Sequence, residues 1–198
     1  MAGAGDHGIV EEAERVADEV GLQQLTIAAL PQRLGVRQPS LYKHIDGMDG
    51  LQRSIALRAK NELADTLARA AVGRSCGDAI VSMSQAYRRW AHEHPGRYAA
   101  TQRTPLAGDS DDEAASLAAA QVVFDVLAGY ELHDDEAVDA TRALRSALHG
   151  FVSLEAGGWL RPPARRRPQL RPARERPSDC AVRLANAGFG DFAVTSSR

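Results

Sequence analysis

Lysine is nearly missing from this chain. Lys43 and Lys60 are the only two, and the other 22 of the 24 basic residues are arginine. With abundant alanine and glycine, this is the residue usage of GC-rich coding. Cysteine is as scarce. Cys76 and Cys180 lie far apart, which gives neither a disulfide framework nor a zinc-ligand spacing, so a reducing cytoplasm is the expected compartment. No apolar run approaches the roughly 18 residues of a membrane span. The N-terminal MAGAGDHGIVEE has neither the basic start nor the apolar stretch of a secretory leader, so no membrane partner is expected. No β-type alternation of useful length occurs and no internal repeat, which leaves helices as the building material. Gly3, Gly5 and Gly8 match the dinucleotide fingerprint in form only, because no strand precedes them.

What is present suits a globular chain. Its 198 residues are 44% hydrophobic and 25% charged, and a chain of this length buries roughly 70% of its unfolded surface without a metal or disulfide staple. The net charge of −2 conceals an asymmetry. Residues 1–158 carry −8, whereas residues 159–198 carry +6 with five of the nine prolines. Composition therefore breaks near Gly157–Gly158.

Before that break the pattern is helical throughout. Ile9, Val10, Ala13, Val16, Ala17 and Val20 recur at helical spacing and Gly21 stops them. Thr26 is placed to cap a short helix over 27–34 that ends at Gly35. Pro39, tolerated in a first turn, opens a third short helix through Leu41 and Ile45. A long helix is predicted over 48–72, another over 78–94, a loop rich in Pro, Gly and Asp over 95–111, and two more helices over 112–130 and 134–156. The fold class is all-α.

Residues 26–45, TIAALPQRLGVRQPSLYKHI, carry the most informative pattern. Two short helices meet at Gly35-Val36-Arg37, where glycine permits a left-handed turn. Ala28 is small enough for a close helix contact, and Leu30, Leu34, Val36 and Leu41 can form a miniature core. Arg37, Gln38, Ser40, Tyr42, Lys43 and His44 are left on the exposed side. This is helix-turn-helix grammar. In a major groove, Arg37 suits guanine, Gln38 suits adenine, Pro39 offers an apolar edge to a thymine methyl, and Ser40 is permissive. Tyr42, Lys43 and His44 suit phosphates, which set register. Thr26 both caps its helix and presents backbone N–H groups to a phosphate. The charge balance opposes DNA locally, since residues 1–50 hold four basic residues against eight acids. The acids at 11, 12, 14, 18 and 19 must therefore face away from the duplex.

Over about residues 9–60 the sequence resembles the DNA-binding domain of the TetR family of bacterial regulators, most closely in VRQPSLYKHI. HPGRY (94–98) and LRSALHGFVSLE (144–155) resemble effector-domain segments of one branch of that family. The resemblance implies a three-helix DNA-reading domain (1–47), a connecting helix (48–73), and a helical effector-binding and dimerisation domain (74–158). It implies a homodimeric repressor on a pseudo-palindromic operator, released by a small-molecule effector. Two positions depart from the family's pattern. Pro31 falls inside the second helix, where a bend or first-turn distortion is expected. Met48 stands where relatives often carry a phosphate-binding lysine.

Other residues are ambiguous at the sequence level. Tyr87, Trp90, Tyr98 and Phe124 read singly as core and together as the wall of an apolar cavity, and Tyr130 belongs with them. His149 reads as a hydrogen-bonded core histidine or as a polar group of that pocket. His92 and His94, two apart on a helix, cannot share a face, so no metal site is expected there. No Ser/His/Asp set, paired carboxylates or cofactor motif has suitable spacing, so neither a cofactor nor catalysis is expected. The rival readings are a helical-bundle carrier or enzyme without a DNA function, and a regulator that has lost its effector.

The tail over 159–198 has proline too often for a helix and a strongly basic character. The family would place an amphipathic helix there. Read one base later from within the Trp159 codon, a permitted GC-rich codon choice for residues 159–176 gives GFGLPLDVDRSFDRLVNA, with V, F and L at helical spacing. A frameshifted tail is therefore one expectation. A basic extension that adds nonspecific DNA affinity is the other.

Overall fold

The computed structural model describes residues 6–37 and 41–160, and every regular element among them is helical. Helix α1 spans Asp6–Val20. Two short 3-10 turns follow, Leu22–Gln24 and Ile27–Ala29, and the second runs into α2, Leu30–Leu34. After the turn region come α3 (Gly47–Ala71), α4 (Cys76–Glu93), α5 (Pro95–Thr101), α6 (Ser110–Leu127) and α7 (Asp134–Ala156), with a 3-10 turn at Ala128–Tyr130 after α6.

Buried apolar side chains fall into two clusters. The first joins Ile9, Ala13 and Val16 of α1 to Leu30, Leu41, Leu51 and Ile55, with Leu34, Val36 and Met48 packed against it. The second joins Leu63 and Leu67 of α3 to Met83, Tyr87 and Trp90 of α4 and Leu148 and Val152 of α7. Helix α3 serves both, its first half facing one cluster and its second half the other. At roughly 25 cal/mol per Å² of apolar surface removed from water, these two clusters supply most of the favourable folding free energy.

Four expectations change. The 95–111 stretch is not all loop. Pro95 sits in the first turn of α5, where its missing N–H is no loss, and His94 before it is non-helical at φ −132°, ψ 59°. Breaker residues read as a loop therefore mark a helix start. The predicted 27–34 helix divides into a 3-10 turn and α2, with Pro31 in the first turn of the α-helical part, in keeping with the distortion expected there. Thr26 makes no side-chain capping bond. Its backbone carbonyl accepts from Ala29 N–H at 3.1 Å instead, which already closes the tight turn. Ala28 is exposed and makes no close helix contact of the kind expected.

Candidate DNA interface and effector cavity

The turn that leads into the 37–44 segment is built by Gly35. It takes the left-handed conformation, φ 65°, ψ 27°, and caps α2 by donating its N–H to the Pro31 carbonyl, to which Val36 N–H also donates at 3.1 Å. The chain then drops Val36 against the first cluster and leaves Arg37 exposed. Leu41, fully buried, anchors the other side, and His44 N–H returns to its carbonyl at 2.9 Å. Tyr42, Lys43 and His44 are exposed between the buried Leu41 and Ile45. Tyr42 is a large side chain at 54% exposure. Gln38, Pro39 and Ser40 lie outside the described residues. Met48 is half-buried against the first cluster rather than presented as a surface anchor.

Five acids of α1, at positions 11, 12, 14, 18 and 19, are engaged within the protein. Arg15 bridges Glu11 at 2.6 Å and Glu12 at 3.0 Å. Arg33 of α2 bridges Glu12 and Glu19, both at 2.7 Å. Arg58 of α3 donates to both oxygens of Glu14, at 2.7 and 3.2 Å, and also reaches the ring of His7. Arg97 of α5 donates its backbone and side-chain N–H groups to Asp18, each at 2.8 Å, and bonds Glu62 at 2.7 Å. The five acids that opposed a DNA reading are thus each paired with an arginine.

Arg97 belongs to the HPGRY segment, which is the contact between α1 and the second half of the molecule. His94 lies beside the Arg97 guanidinium and 3.5 Å from Asp18. Gly96 lies against the α1 backbone so closely that a Cβ there would fall 2.1 Å from the carbonyl carbon and oxygen of Ala17. Two residues on, Tyr98 points the other way. Its hydroxyl bonds Tyr87 Oη at 3.0 Å and His149 Nδ1 at 2.6 Å, and its ring meets Tyr87 edge-on. Burial, and then the Tyr87 hydrogen bond, push the Tyr98 hydroxyl far above the usual tyrosine range.

A cavity of about 450 Å³ opens between α3, α4, α6 and α7, within the size range of small-molecule sites. Tyr87 and Phe124 line it, as do Leu63, Leu67, Met83 and Leu148. Trp90, Tyr98 and His149 are not part of its wall. Trp90 is buried edge-on to His94, and Tyr98 and His149 form a hydrogen-bonded layer behind Tyr87. Tyr130 is exposed, away from the cavity. His92 bonds Glu155 at 2.9 Å, alongside Arg88.

The least anticipated polar feature borders this cavity. Lys60 is buried on α3 and bonds Asp112 Oδ1 at 2.5 Å, Ser116 Oγ at 3.0 Å and the Arg103 carbonyl at 3.0 Å. Asp112 is 0% exposed. The available signal was composition: one of only two lysines in an arginine-rich chain, set between Ala59 and Leu63 at the apolar helix period. Among the described residues no His, Cys, Asp or Glu cluster is arranged to hold a metal ion, and no single helix is long and apolar enough to cross a membrane.

Comparison with known proteins gives matches of three kinds. The family described as tetracyclin repressor-like, C-terminal domain, matches residues 80–174. The expectations for the tail, a frameshifted segment or a basic extension, fall on residues 161–198, which lie outside the described residues. The chain is 44% identical over 153 residues to an uncharacterized HTH-type transcriptional regulator of Mycobacterium tuberculosis, Rv0681, covering 77% of this chain and 70% of that protein. It is 34% identical over 154 residues to the uncharacterized HTH-type transcriptional regulator YobS of Bacillus subtilis, covering 75% and 77%. The solved structure of the Streptomyces coelicolor TetR family protein ActR in complex with (S)-DNPA superposes with a TM-score of 0.58 at 19% identity, over 100% of this chain and 90% of that one. At that identity the likeness concerns the fold alone.

Proposed function

The chain belongs to the TetR family of HTH-type transcriptional regulators, and from that premise we propose that it is a homodimeric repressor released from its operator by a small molecule. Residues 1–47 would read DNA, 48–73 would connect, and 74–158 would hold the effector and the dimer contact. The observation that carries the DNA reading is the division of charge. Every acid at positions 11, 12, 14, 18 and 19 is paired with an arginine, while Arg37, Tyr42, Lys43 and His44 stand exposed.

On this reading Arg37 and Gln38 contact base edges and Pro39 a thymine methyl, with Ser40 permissive beside them. Tyr42, Lys43, His44 and the amides after Thr26 contact phosphates. Dimerisation finds support on α7, where Ala143, Ala147 and Leu154 are exposed on one stripe and a Cβ added at Gly150, in the same stripe, would meet nothing within 4 Å. Two copies joined there would present their reading segments to successive major grooves, about 34–36 Å apart. Release has a contiguous route. Tyr87 lines the cavity and bonds Tyr98, and Tyr98 shares α5 with Gly96 and Arg97, which hold α1. A ligand that favours another placement of α5 thereby draws the population away from the DNA-competent arrangement.

A fluorescence-anisotropy titration on operator and random duplexes at several salt concentrations tests the DNA interface. Lys43→Ala should weaken both duplexes alike and reduce the salt slope by about one unit. Gln38→Ala should weaken the operator selectively, by about 1–3 kcal/mol. Unchanged binding by both variants would remove the assignment of the reading segment.

A further inference from the structure

Resting on the effector-site reading above, we propose that the cavity takes an organic anion, a molecule with an apolar body and a carboxylate head, and that Arg103 holds the head together with Thr141 and Arg145.

The lining contains no acidic residue. Its charged members are Lys60, Arg103, Arg142 and Arg145, all of one sign. Two of the four are answered within the protein. Lys60 is neutralised by Asp112 at 2.5 Å, and Arg142 bonds Asp139 at 3.2 Å on the exposed side of α7. Arg103 and Arg145 make no ion pair among the described residues. Arg103 Nη1 is buried without a hydrogen-bond partner, and so is Oγ1 of Thr141, which lines the same cavity. Asp109 feels the Arg103 charge, but both its oxygens are already taken by Arg53, at 2.6 and 2.5 Å. Arg145 is close enough to Tyr87 and Tyr98 for its charge to act on both hydroxyls.

A buried guanidinium N–H without an acceptor is costly, and a carboxylate satisfies it with charge-assisted, forked hydrogen bonds. Tyr87, Thr101, Gln102, Thr104 and Ser116 add hydroxyl and amide groups to the wall, but most of it is hydrocarbon: Leu63, Leu67, Met83, Val123, Phe124 and Leu148 offer no polar side-chain atom. A cation would meet two uncompensated guanidiniums. A polyhydroxylated ligand would leave its hydroxyls facing that wall. An apolar anion satisfies both ends of the cavity.

The experiment is calorimetric titration of the full chain with decanoate, 1-decanol and decylamine, three probes with one body and different heads. Decanoate should bind at least about tenfold more tightly than decanol, with decylamine weakest. Arg103→Met should bring decanoate to the level of decanol and leave decanol unchanged, while Arg103→Lys keeps part of the preference. Should Arg103→Met not fold, Arg145→Met, on the exposed side of the cavity, must itself reduce the carboxylate preference. An unaltered preference there overturns the proposal. Equal affinity for decanoate and decanol also overturns it and leaves the effector cavity standing. Absence of binding by all three probes, or binding unaffected by the cavity-filling Leu67→Trp, removes the cavity reading as well.

Discussion

Replacing Gly96 with alanine sets two physical effects of opposite sign against each other. In an ordinary helix interior the change stabilises, by about 1 kcal/mol, because alanine has less backbone freedom to lose. At Gly96 the added Cβ would lie 2.1 Å from the carbonyl carbon and oxygen of Ala17 and 2.6 Å from the Asp18 nitrogen. Ordinary carbon contacts begin near 3.5 Å, so α5 and α1 must part by more than about 1 Å. The obstacle is backbone and cannot rotate aside. Overpacking of this kind costs about 1–3 kcal/mol, and the separation also stretches the 2.8 Å bonds from Arg97 to Asp18. The net expectation is a destabilisation of about 1–3 kcal/mol, read from urea denaturation midpoints followed by circular dichroism. Gly77→Ala is the control. Its Cβ would meet only Tyr130 Oη at 3.8 Å, so it should raise stability by up to about 1 kcal/mol. A Gly96→Ala variant as stable as its Gly77→Ala counterpart would refute the close approach of α5 to α1.

Lys60→Met should lower stability by about 3–5 kcal/mol by stranding Asp112 in the interior, and Lys60→Met with Asp112→Leu should recover most of it; the same denaturation assay reads both. Arg53 holds the Asp109 carboxyl at about 2, below its ordinary 3.8, so this pair's contribution is full above pH 3.8 and disappears as pH falls through about 2. Arg53→Met should therefore flatten the acid-denaturation profile across that window. Burial raises the Tyr98 and Tyr87 hydroxyls above the ordinary tyrosine value, so their contribution is complete below about pH 10 and lost as pH rises further. An ultraviolet absorbance titration should show these two tyrosinates forming only together with alkaline unfolding.

Much of this architecture was legible because it rests on local rules. The apolar spacing of Ile9 to Val20, the Gly35 turn and the burial of Leu30 and Leu41 each depend on neighbours within a few residues. The joints were not legible. Gly96 and Pro95 look like breakers in sequence, and only the arrival of α1, nearly eighty positions away in the chain, makes Gly96 a contact. The same holds for Lys60, whose partner Asp112 lies on another helix, and for the pairing of the α1 acids with Arg33, Arg58 and Arg97. Aromatic content indicated a cavity but not which rings face it. Tyr87 and Phe124 reach its wall, whereas Tyr98 and His149 complete a hydrogen-bonded layer one side chain further out. Periodicity tells which face of a helix is buried, but not what stands opposite.

The central claim, sequence-specific DNA recognition by the segment around Arg37 to His44, is tested most directly by selecting bound duplexes from a random pool with the purified full chain. The account predicts enrichment of a pseudo-palindrome whose half-site centres lie about one helical turn, 34–36 Å, apart, with Gln38→Ala relaxing the preference at one position in each half-site. A pool that remains random after repeated rounds, or a preference that Gln38→Ala leaves intact, would contradict it.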